Sequence, residues 1–552
     1  MNCLDRSSAI QTTLGFTSLS ILAVWLFGGL IGGFWRGDDP AILAHAIASP
    51  SLAAFSDPVD WRRLSPSNLT PWITLSFKVD LAISGLTPST FYAHQILSLI
   101  ALIGVSLLWL RRWVSPLVAS SSIALFLVGA PTGAVVEALM TRHYLEGLLS
   151  STFALFAFDC FMKAWRSRKT RIAICWYALV AIAYGVAATA KEVYVPLPLL
   201  ICVLPGLGDW RQRLIKVAPL FVLLGGYVLW RTFMLGHLAG GYSDFDILLS
   251  LGTLLEFMRS LLRFPGHLWG NAWPLPILLL GWLTIKTCRS EANRWMILLS
   301  VGFLLLGPLL PLVKFPGFHG PDRYLFLLWF GLCVLIAIGV QNASKSSRDR
   351  WILAGLSAVC FFLPTIFNAI QQERSREIYA QQFEVQGRFL WDGDSELAYL
   401  PTPMLEGTFW YVTELCTLRP MERGPCPRAL IQGVDHQVPD SEVMKFTLDQ
   451  MRPVKPEEVL QFLTVDKSAP LQAKVALRAG IVEWQFGPES SGKYFIASPR
   501  LGRYPISKTG ALRTAERKFK FVLLYEEPDG TVRASTWLEV VEDLPLEWKR
   551  PS

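Results

Sequence analysis

Long apolar runs separated by short polar segments occupy the first two thirds of the chain. A membrane-spanning helix needs about 20 consecutive, mostly apolar residues, and eleven runs approach or reach this length. The pattern predicts an α-helical polytopic membrane protein with about eleven transmembrane helices. The runs are residues 14–34, 93–110, 115–133, 143–162, 172–190, 193–207, 217–235, 272–286, 296–313, 324–341 and 351–370.

The last third of the chain has a different pattern, in which apolar and polar residues alternate over short stretches bounded by glycine and proline. Alternation with a period of two is typical of β-strands, and the intervening turns suggest hairpins. We interpret 481–486 with 493–496 as one hairpin, and 519–525 with 532–541 as another. The sequence therefore predicts a transmembrane domain over 1–373 and a small soluble domain over 374–552, either α+β or a β-sandwich.

The charged residues confirm that the two parts differ. Only 17% of the 552 residues are charged, against about a quarter in a soluble chain. Residues 374–552 hold 48 of these charges, and the much longer first part holds 46. This distribution excludes a soluble globular enzyme, a disordered chain and an ordinary nucleic-acid-binding protein. The net charge of +8 lies mainly in short loops, which is a signature of membrane topology.

Lysine and arginine predict the orientation of the helices. Six alternate connections, namely 1–13, 111–114, 163–171, 208–216, 286–295 and 342–350, carry 17 Lys/Arg in 54 residues. The other five carry 10 in 115 residues. The first set should therefore be cytoplasmic. With an odd number of spans, the soluble domain is extracytoplasmic, and we expect a multi-pass protein of a bacterial inner membrane whose first run is an uncleaved anchor.

Two adjacent carboxylates follow the first apolar run on the predicted outer side. Asp38 and Asp39 would be costly beside a bilayer unless they are solvated, paired or functional. A structural interpretation is also open, because Asp39-Pro40 suits the cap and first position of a helix. That interpretation accounts for only one of the two carboxylates.

Basic residues stand at two other predicted outer helix ends. Lys191-Glu192 separates two apolar runs, and Asp322-Arg323 opens a late one. A lysine at this depth suits an anionic group, and arginine offers a planar fork for phosphate oxygens. The alternatives are an interfacial turn at Lys191 and an arginine that extends to lipid headgroups. Further polar residues at outer ends, each by itself better explained as satisfied or snorkelling, are His94, Glu137, Arg142, His143, Glu146 and Arg231.

Four stretches in order resemble the GT-C class of polyprenyl-phosphate-sugar-dependent membrane glycosyltransferases, in particular relatives of protein O-mannosyltransferases that usually carry tetratricopeptide repeats. The likeness covers roughly the first 340 residues. The stretches are Asp38-Asp39-Pro40-Ala41-Ile42, the segment from Asn68 through Pro88 to His94, Ala190-Lys191-Glu192 with Val195-Pro196-Leu197, and Asp322-Arg323-Tyr324-Leu325.

The resemblance implies an inverting transfer of a sugar from a polyprenyl-phosphate-linked donor to an extracytoplasmic hydroxyl of a protein, glycan or lipid. Asp38 would be the base and Asp39 its acidic neighbour, while Lys191 and Arg323 would hold the lipid-linked phosphate. The substrate-binding set would further include Glu192, His94 and Arg142. A single-phosphate donor implies no metal or other cofactor, whereas a pyrophosphate donor would make Asp38 and Asp39 candidate ligands of a divalent metal.

The sequence also departs from the family pattern. Leu97 and Ala101 stand where relatives tend to have asparagine and histidine, Ala134 stands where they have glutamate, and no tetratricopeptide repeat follows. Two other functions therefore stay open, a transporter or flippase for a lipid-linked glycan and a catalytically inactive scaffold. The clustering of polar residues at outer helix ends, away from mid-membrane positions, favours the enzyme over the transporter.

Cysteine usage gives one structural prediction. Of nine cysteines, only Cys416 and Cys426 lie in the predicted extracytoplasmic domain. An oxidising compartment favours their pairing, and the short intervening segment contains the turn-forming residues Pro420 and Gly424. We therefore expect a disulfide between them.

Overall fold

The computed structural model describes most of the chain. The described residues are 6–204, 210–237, 263–287, 321–343, 352–353, 355–392, 397–399, 406–430, 443–446, 451–455, 458–459, 471–478, 481–498, 502–513 and 518–549. They fall into two compact units. The first comprises 1–33 and 45–377, and the second comprises 34–44 and 378–552. The main border thus lies close to the predicted one, but a short segment after the first helix groups with the second unit.

Helices dominate the first unit. Several begin with proline at their first position, where the missing N–H costs nothing and the fixed φ favours the helix. Asp57 caps one of them, since its side chain accepts from the backbone N–H groups of Val59 and Asp60. Among the described residues, the α-helices that begin before residue 365 include Arg6–Phe27, Asp39–Ala48, Ala53–Ser56, Pro58–Leu64, Trp72–Ser84, Pro88–Leu110, Pro116–Leu127, Ala130–Val136, Arg142–Arg166, Thr170–Ala190, Leu197–Cys202, Trp210–Leu235, Pro274–Thr287, Phe326–Ala343 and Leu363–Asp392.

Six helices of the described chain are long and apolar enough to cross a membrane, and two bent pairs bring the number to eight. The membrane class is therefore supported, with fewer spans than the eleven predicted. The run 193–207 forms only a short apolar helix, Glu192–Cys202, and the run 296–313 lies outside the described residues. The bent pairs are Pro116–Leu127 with Ala130–Val136, at 65°, and Arg263–Ala272 with Pro274–Thr287, at 114°.

The core of the first unit is built around the helix Arg142–Arg166. Leu145, Leu155 and Phe158 on this helix are fully buried, and its neighbours are the helices Pro88–Leu110 and Thr170–Ala190. In a bilayer the lipid tails are as apolar as these side chains, so close packing contributes more to helix association than removal from water does. Small residues such as Ala187 and Ala188 on the facing helix permit that approach.

Two stacked β-sheets form the larger part of the second unit. The strands are β5 Gln472–Arg478, β6 Ile481–Gly487, β7 Lys493–Ser498, β8 Gly502–Ile506, β9 Thr509–Arg513, β10 Lys518–Glu526, β11 Val532–Ala534, β12 Leu538–Val541 and β13 Leu546–Lys549. One sheet has the order β13-β5-β6-β9, and the other has the order β11-β10-β7-β8 with β12 also paired to β10. Phe486 from the first sheet and Phe521 from the second lie in one shared core, which makes this part a β-sandwich.

One predicted hairpin is confirmed and the other is wrong. Strand β10 pairs antiparallel with both β11 and β12, as expected. Strands β6 and β7 do not pair, because β6 lies between β5 and β9 while β7 lies between β10 and β8. Both strands bury one apolar face in the same core, so the chain between them crosses from one sheet to the other.

The rest of the second unit is smaller. The strands β1 Leu397–Tyr399, β2 Arg428–Leu430, β3 Val443–Phe446 and β4 Met451–Val454 form a four-stranded sheet of order β2-β1-β3-β4, and the helix Glu406–Leu418 lies between β1 and β2 in the chain. Cys416 and Cys426 form a disulfide, with their Cα atoms 5.5 Å apart. The bridge ties the end of this helix to the segment that leads into β2.

Candidate functional site

The two adjacent carboxylates lie in the second unit and have different environments. Asp39 is fully buried, and its Oδ2 accepts a hydrogen bond of 2.8 Å from the backbone N–H of Arg36. Asp38 is exposed. The turn between them and Arg36 requires a positive φ of 52°, which Gly37 provides. Asp39 does open the helix Asp39–Ala48, but its carboxylate reaches back to Arg36 and does not cap the helix in the expected way.

We call residues 36–39 the acidic turn. It is attached to residues 383–387 of the helix Leu363–Asp392, which belong to the same unit. Arg36 Nε donates to Glu384 Oε1 at 3.0 Å. The hydroxyl of Tyr411 donates to the carbonyl oxygens of Trp35 at 3.0 Å and Phe383 at 3.1 Å. Gly387 allows this contact, because a Cβ at that position would meet the Tyr411 hydroxyl. The side chains that hold the turn therefore come from the C-terminal part of the chain.

A closed network of charged and polar groups surrounds Arg142 in the first unit. Arg142 is fully buried, and its guanidinium forms an ion pair with Asp80. Its remaining donors are used as well: Nη1 donates to Ser76 Oγ at 3.2 Å, Nε to Gln95 Oε1 at 3.2 Å and Nη2 to the carbonyl of Phe91 at 2.6 Å. The buried charge is thus paired and hydrogen-bonded, as a buried charge must be.

His94 and Glu146 complete this closed network. His94 Nδ1 lies 2.8 Å from Asp80 Oδ1, and Nε2 lies 3.5 Å from Glu146 Oε1. Glu146 also accepts from Trp72 Nε1 at 2.7 Å and from Ser76 Oγ at 2.9 Å. All four carboxylate oxygens of Asp80 and Glu146 therefore have partners inside the protein. We refer to Trp72, Ser76, Asp80, His94, Gln95, Arg142 and Glu146 as the closed network.

Glu192 joins two distant segments of the first unit. Its Oε1 accepts from the backbone N–H of Leu69 at 3.1 Å and from Arg231 Nε at 2.8 Å. Arg231 in turn donates from Nη1 to the carbonyl of His237 at 2.8 Å. The carboxylate next to Lys191 therefore has protein partners of its own, and its substrate-binding role stays a prediction.

Lys191 has a different environment. Its side chain is only 8% exposed, and Nζ lies 5.1 Å from the centre of the Tyr144 ring. Among the side chains that the structure describes, Nζ makes no ion pair, and the carboxylate of the neighbouring Glu192 pairs with Arg231. Burial lowers the pKa of Lys191 to about 8; the charge of Glu192 opposes this shift and that of Arg323 adds to it. The ammonium is thus held in a site that disfavours its charge.

Arg323 and His143 lie around the same aromatic pair. The rings of Tyr144 and Tyr324 meet edge to face at 6.4 Å. The Arg323 guanidinium stands over the Tyr324 ring at 5.0 Å, and the His143 ring lies 4.7 Å from that of Tyr144. The positive charges of Lys191 and Arg323 both act on the His143 ring. We call His143, Lys191 and Arg323 the cationic cluster.

Local sequence explains how Lys191 reaches this position. The helix Thr170–Ala190 ends because Lys191 is extended, with φ −156° and ψ 139°, and a 3₁₀ turn, Glu192–Tyr194, follows. Tyr194 then fixes the turn by donating to the carbonyl of Tyr144 at 2.6 Å. Gly147 makes room for the Tyr194 ring, which a Cβ would contact.

Six of the seven predicted site residues divide into three groups. His94 and Arg142 belong to the closed network, Lys191 and Arg323 to the cationic cluster, and Asp38 and Asp39 to the acidic turn. The seventh, Glu192, pairs with Arg231. Sequence reasoning missed Asp80 altogether. Its signal was the spacing of Trp72, Ser76 and Asp80, which places three polar or amphipathic side chains four residues apart on one helix face.

Comparison with known proteins identifies no relative. No family model matches the chain, and no curated protein is significantly similar to it. In the regions that the structure describes, no group of three or more His, Cys, Asp or Glu side chains has the arrangement of a metal site.

Proposed function

We propose that the protein is a GT-C type membrane glycosyltransferase that transfers a sugar from a polyprenyl-phosphate-linked donor to an extracytoplasmic hydroxyl. The cationic cluster carries this proposal. The positive charge of Arg323 acts on the Lys191 ammonium, which is buried and makes no ion pair with the side chains that the structure describes. A buried charge is costly unless an anion accompanies it. A phosphate group supplies that anion.

The position of the cluster along the chain supports a lipid-linked donor. Lys191 directly follows the apolar helix Thr170–Ala190, and Arg323 directly precedes Phe326–Ala343. The ends of spanning helices lie at the membrane surface, where the headgroup of a lipid also lies. A phosphate with a polyprenyl tail would therefore reach these cations while its chain stays in the bilayer.

In the proposed reaction the acceptor hydroxyl attacks the anomeric carbon with inversion. The bond between this carbon and the phosphate oxygen breaks, and the electron pair stays on the phosphate. Lys191 and Arg323 stabilise the negative charge that develops there. The resemblance assigns the proton of the hydroxyl to Asp38, whose side chain is exposed. Asp39, which is buried and bonded to Arg36, would hold the acidic turn.

Transfer from a defined polyprenyl-phosphate-sugar donor in nanodiscs tests the proposal. Asp38→Asn keeps the size of the side chain but cannot accept the proton, so turnover should fall by about 10²–10⁴-fold with donor binding unchanged. Arg323→Ala should mainly weaken donor use, because the phosphate loses a charge-assisted hydrogen bond.

Two outcomes would contradict the assignment. If Asp39→Asn is inactive while Asp38→Asn is near normal, the base is Asp39. If both variants transfer sugar normally, the mechanism is wrong.

A third outcome concerns the alternative function. If the wild-type protein binds the donor but transfers no sugar to any acceptor offered, and moves the lipid across the bilayer, the flippase function replaces the enzyme.

A further inference from the structure

His143 is the member of the cationic cluster that the resemblance to known glycosyltransferases does not assign. It is the second residue of the helix Arg142–Arg166, next to Arg142. Its ring nitrogens are both buried, and within the described regions neither makes a hydrogen bond of normal geometry. A buried polar atom without a partner is costly, so such an atom in a native protein calls for an explanation.

A nearby backbone carbonyl does not remove this deficit. Met140 lies close enough to act on the His143 ring, although not at normal hydrogen-bond geometry. One carbonyl oxygen can serve only one of the two ring nitrogens. At least one nitrogen therefore stays without a partner in the described protein.

The surroundings of His143 select the kind of partner it lacks. Lys191 and Arg323 both place positive charge on the ring. Tyr144, against which the ring packs at 4.7 Å, also lies 5.1 Å from the Lys191 ammonium. A cationic ligand would be repelled here, whereas an anion with several acceptor oxygens would be attracted by both positive charges and would accept a hydrogen bond from the His143 ring.

We propose that His143 is a third phosphate ligand, whose ring N–H donates to an oxygen of the lipid-linked phosphate that Lys191 and Arg323 hold. This inference rests on the proposed function and deepens it, because it adds a neutral directional donor to two charges. During transfer, this donor keeps its hydrogen bond while the phosphate gains the electron pair of the broken bond. His143 gives up no proton, and the proton of the acceptor still goes to Asp38.

Three donors around one phosphate favour a terminal monophosphate over an uncharged lipid alcohol. The two charges attract the anion, and the imidazole fixes the orientation of one oxygen. The inference thus predicts that removing the imidazole donor weakens phosphate binding even when both cations remain.

The test measures binding of a polyprenyl monophosphate of defined length to the full-length protein by native mass spectrometry, with the polyprenol of equal length as the uncharged reference. His143→Phe keeps a planar ring and removes the donor. His143→Asn restores a shorter N–H donor. His267→Phe is the matched control, since His267 is exposed and begins another membrane-associated segment.

We expect His143→Phe to weaken monophosphate binding about tenfold, as for loss of one hydrogen bond to a charged group. Binding of the polyprenol should not change. His143→Asn should recover part of the loss, and His267→Phe should bind like the wild type. If His143→Phe does not fold, His143→Ala, which also has no side-chain donor, provides the measurement through the ³¹P chemical shift of the bound monophosphate, and a shift equal to that of the wild type would overturn the inference.

The remaining outcomes separate this inference from the proposed function. If His143→Phe binds normally while Lys191→Ala and Arg323→Ala bind weakly, His143 is not a phosphate ligand but the donor site stands. If the wild-type protein shows no preference for the monophosphate over the polyprenol, neither the ligand role of His143 nor the proposed function survives.

Discussion

Arg142 and His143 are neighbours in the sequence, yet they belong to clusters of opposite character. Arg142 enters the closed network, in which Asp80 balances its charge and every carboxylate oxygen has a partner. His143 enters the cationic cluster, in which the Lys191 and Arg323 charges act on its ring and both ring nitrogens are buried without a normal hydrogen bond in the described structure. Adjacent residues on a helix face different directions, so one helix start can serve both.

The difference distinguishes structural from ligand-binding polar groups. A satisfied network stabilises the fold through its own contacts, whereas a buried polar group without a partner stabilises the fold only when a ligand completes it. His94 and Arg142, which the resemblance places among the substrate-binding residues, make polar contacts inside the protein, and their substrate-binding role stays a prediction. The role of Lys191 as a phosphate ligand is likewise a prediction, which the buried ammonium favours.

The largest expected effect is on the closed network. Asp80→Leu leaves the Arg142 guanidinium buried without its carboxylate, and this should cost about 3–5 kcal/mol of stability. The double variant with Arg142→Met should recover much of that loss, because both charges are then gone. Thermal unfolding in one lipid composition measures both. Equal losses in the single and double variants would show that the ion pair is not what stabilises this region.

The matching change in the cationic cluster should have the reverse signature. Lys191→Met removes a buried charge without an ion-pair partner in the described protein and keeps the volume. We expect unfolding stability to be unchanged or raised. Binding of a polyprenyl monophosphate should fall about tenfold or more, because a hydrogen bond to a charged group is lost. A clear loss of stability would mean that Lys191 is structural after all, and the contrast between the clusters would disappear.

A pH titration sharpens the comparison further. With the pKa of Lys191 lowered to about 8, the ammonium is present below this pH and lost above it. Monophosphate affinity should therefore decrease between about pH 7 and about pH 9, a window in which the phosphate itself is already ionised. The decrease should be absent in Lys191→Met. A wild-type affinity that stays constant up to about pH 10 would place the pKa of Lys191 near its ordinary value of about 10.4.

The smallest expected effect concerns the acidic turn, which resembles the closed network in having its polar groups paired. Glu384→Gln removes the charge opposite Arg36, and both side chains are partly exposed, at 22% and 17%. Pairs of this kind contribute about 0–1 kcal/mol. Turnover should fall only a few-fold, with monophosphate binding unaffected. A loss as large as that of Asp38→Asn would show that the position of the turn depends on this single contact.

The sequence by itself determined the membrane class, the presence of β-structure in the last third of the chain, and the placement of Lys191 and Arg323 at the ends of apolar helices. These features are local: hydrophobic runs, alternation and flanking charges act within a few turns of chain. For the same reason the paired strand β10 could be predicted from its own alternation and the turn that follows it.

Only the tertiary structure decided which polar groups meet. Asp80 and Arg142 are 62 positions apart, and nothing local marks them as a pair. The same holds for the segment 34–44 in the second unit, where the Arg36 side chain donates to Glu384 and the Trp35 carbonyl accepts from the Tyr411 hydroxyl. Strands β6 and β7 adjoin in sequence but enter different sheets, because burial of both apolar faces in one core outweighs the local preference for a hairpin. Contacts between distant residues depend on the packing of the whole fold. The residue pattern of a helix or strand shows only which of its faces can make such contacts.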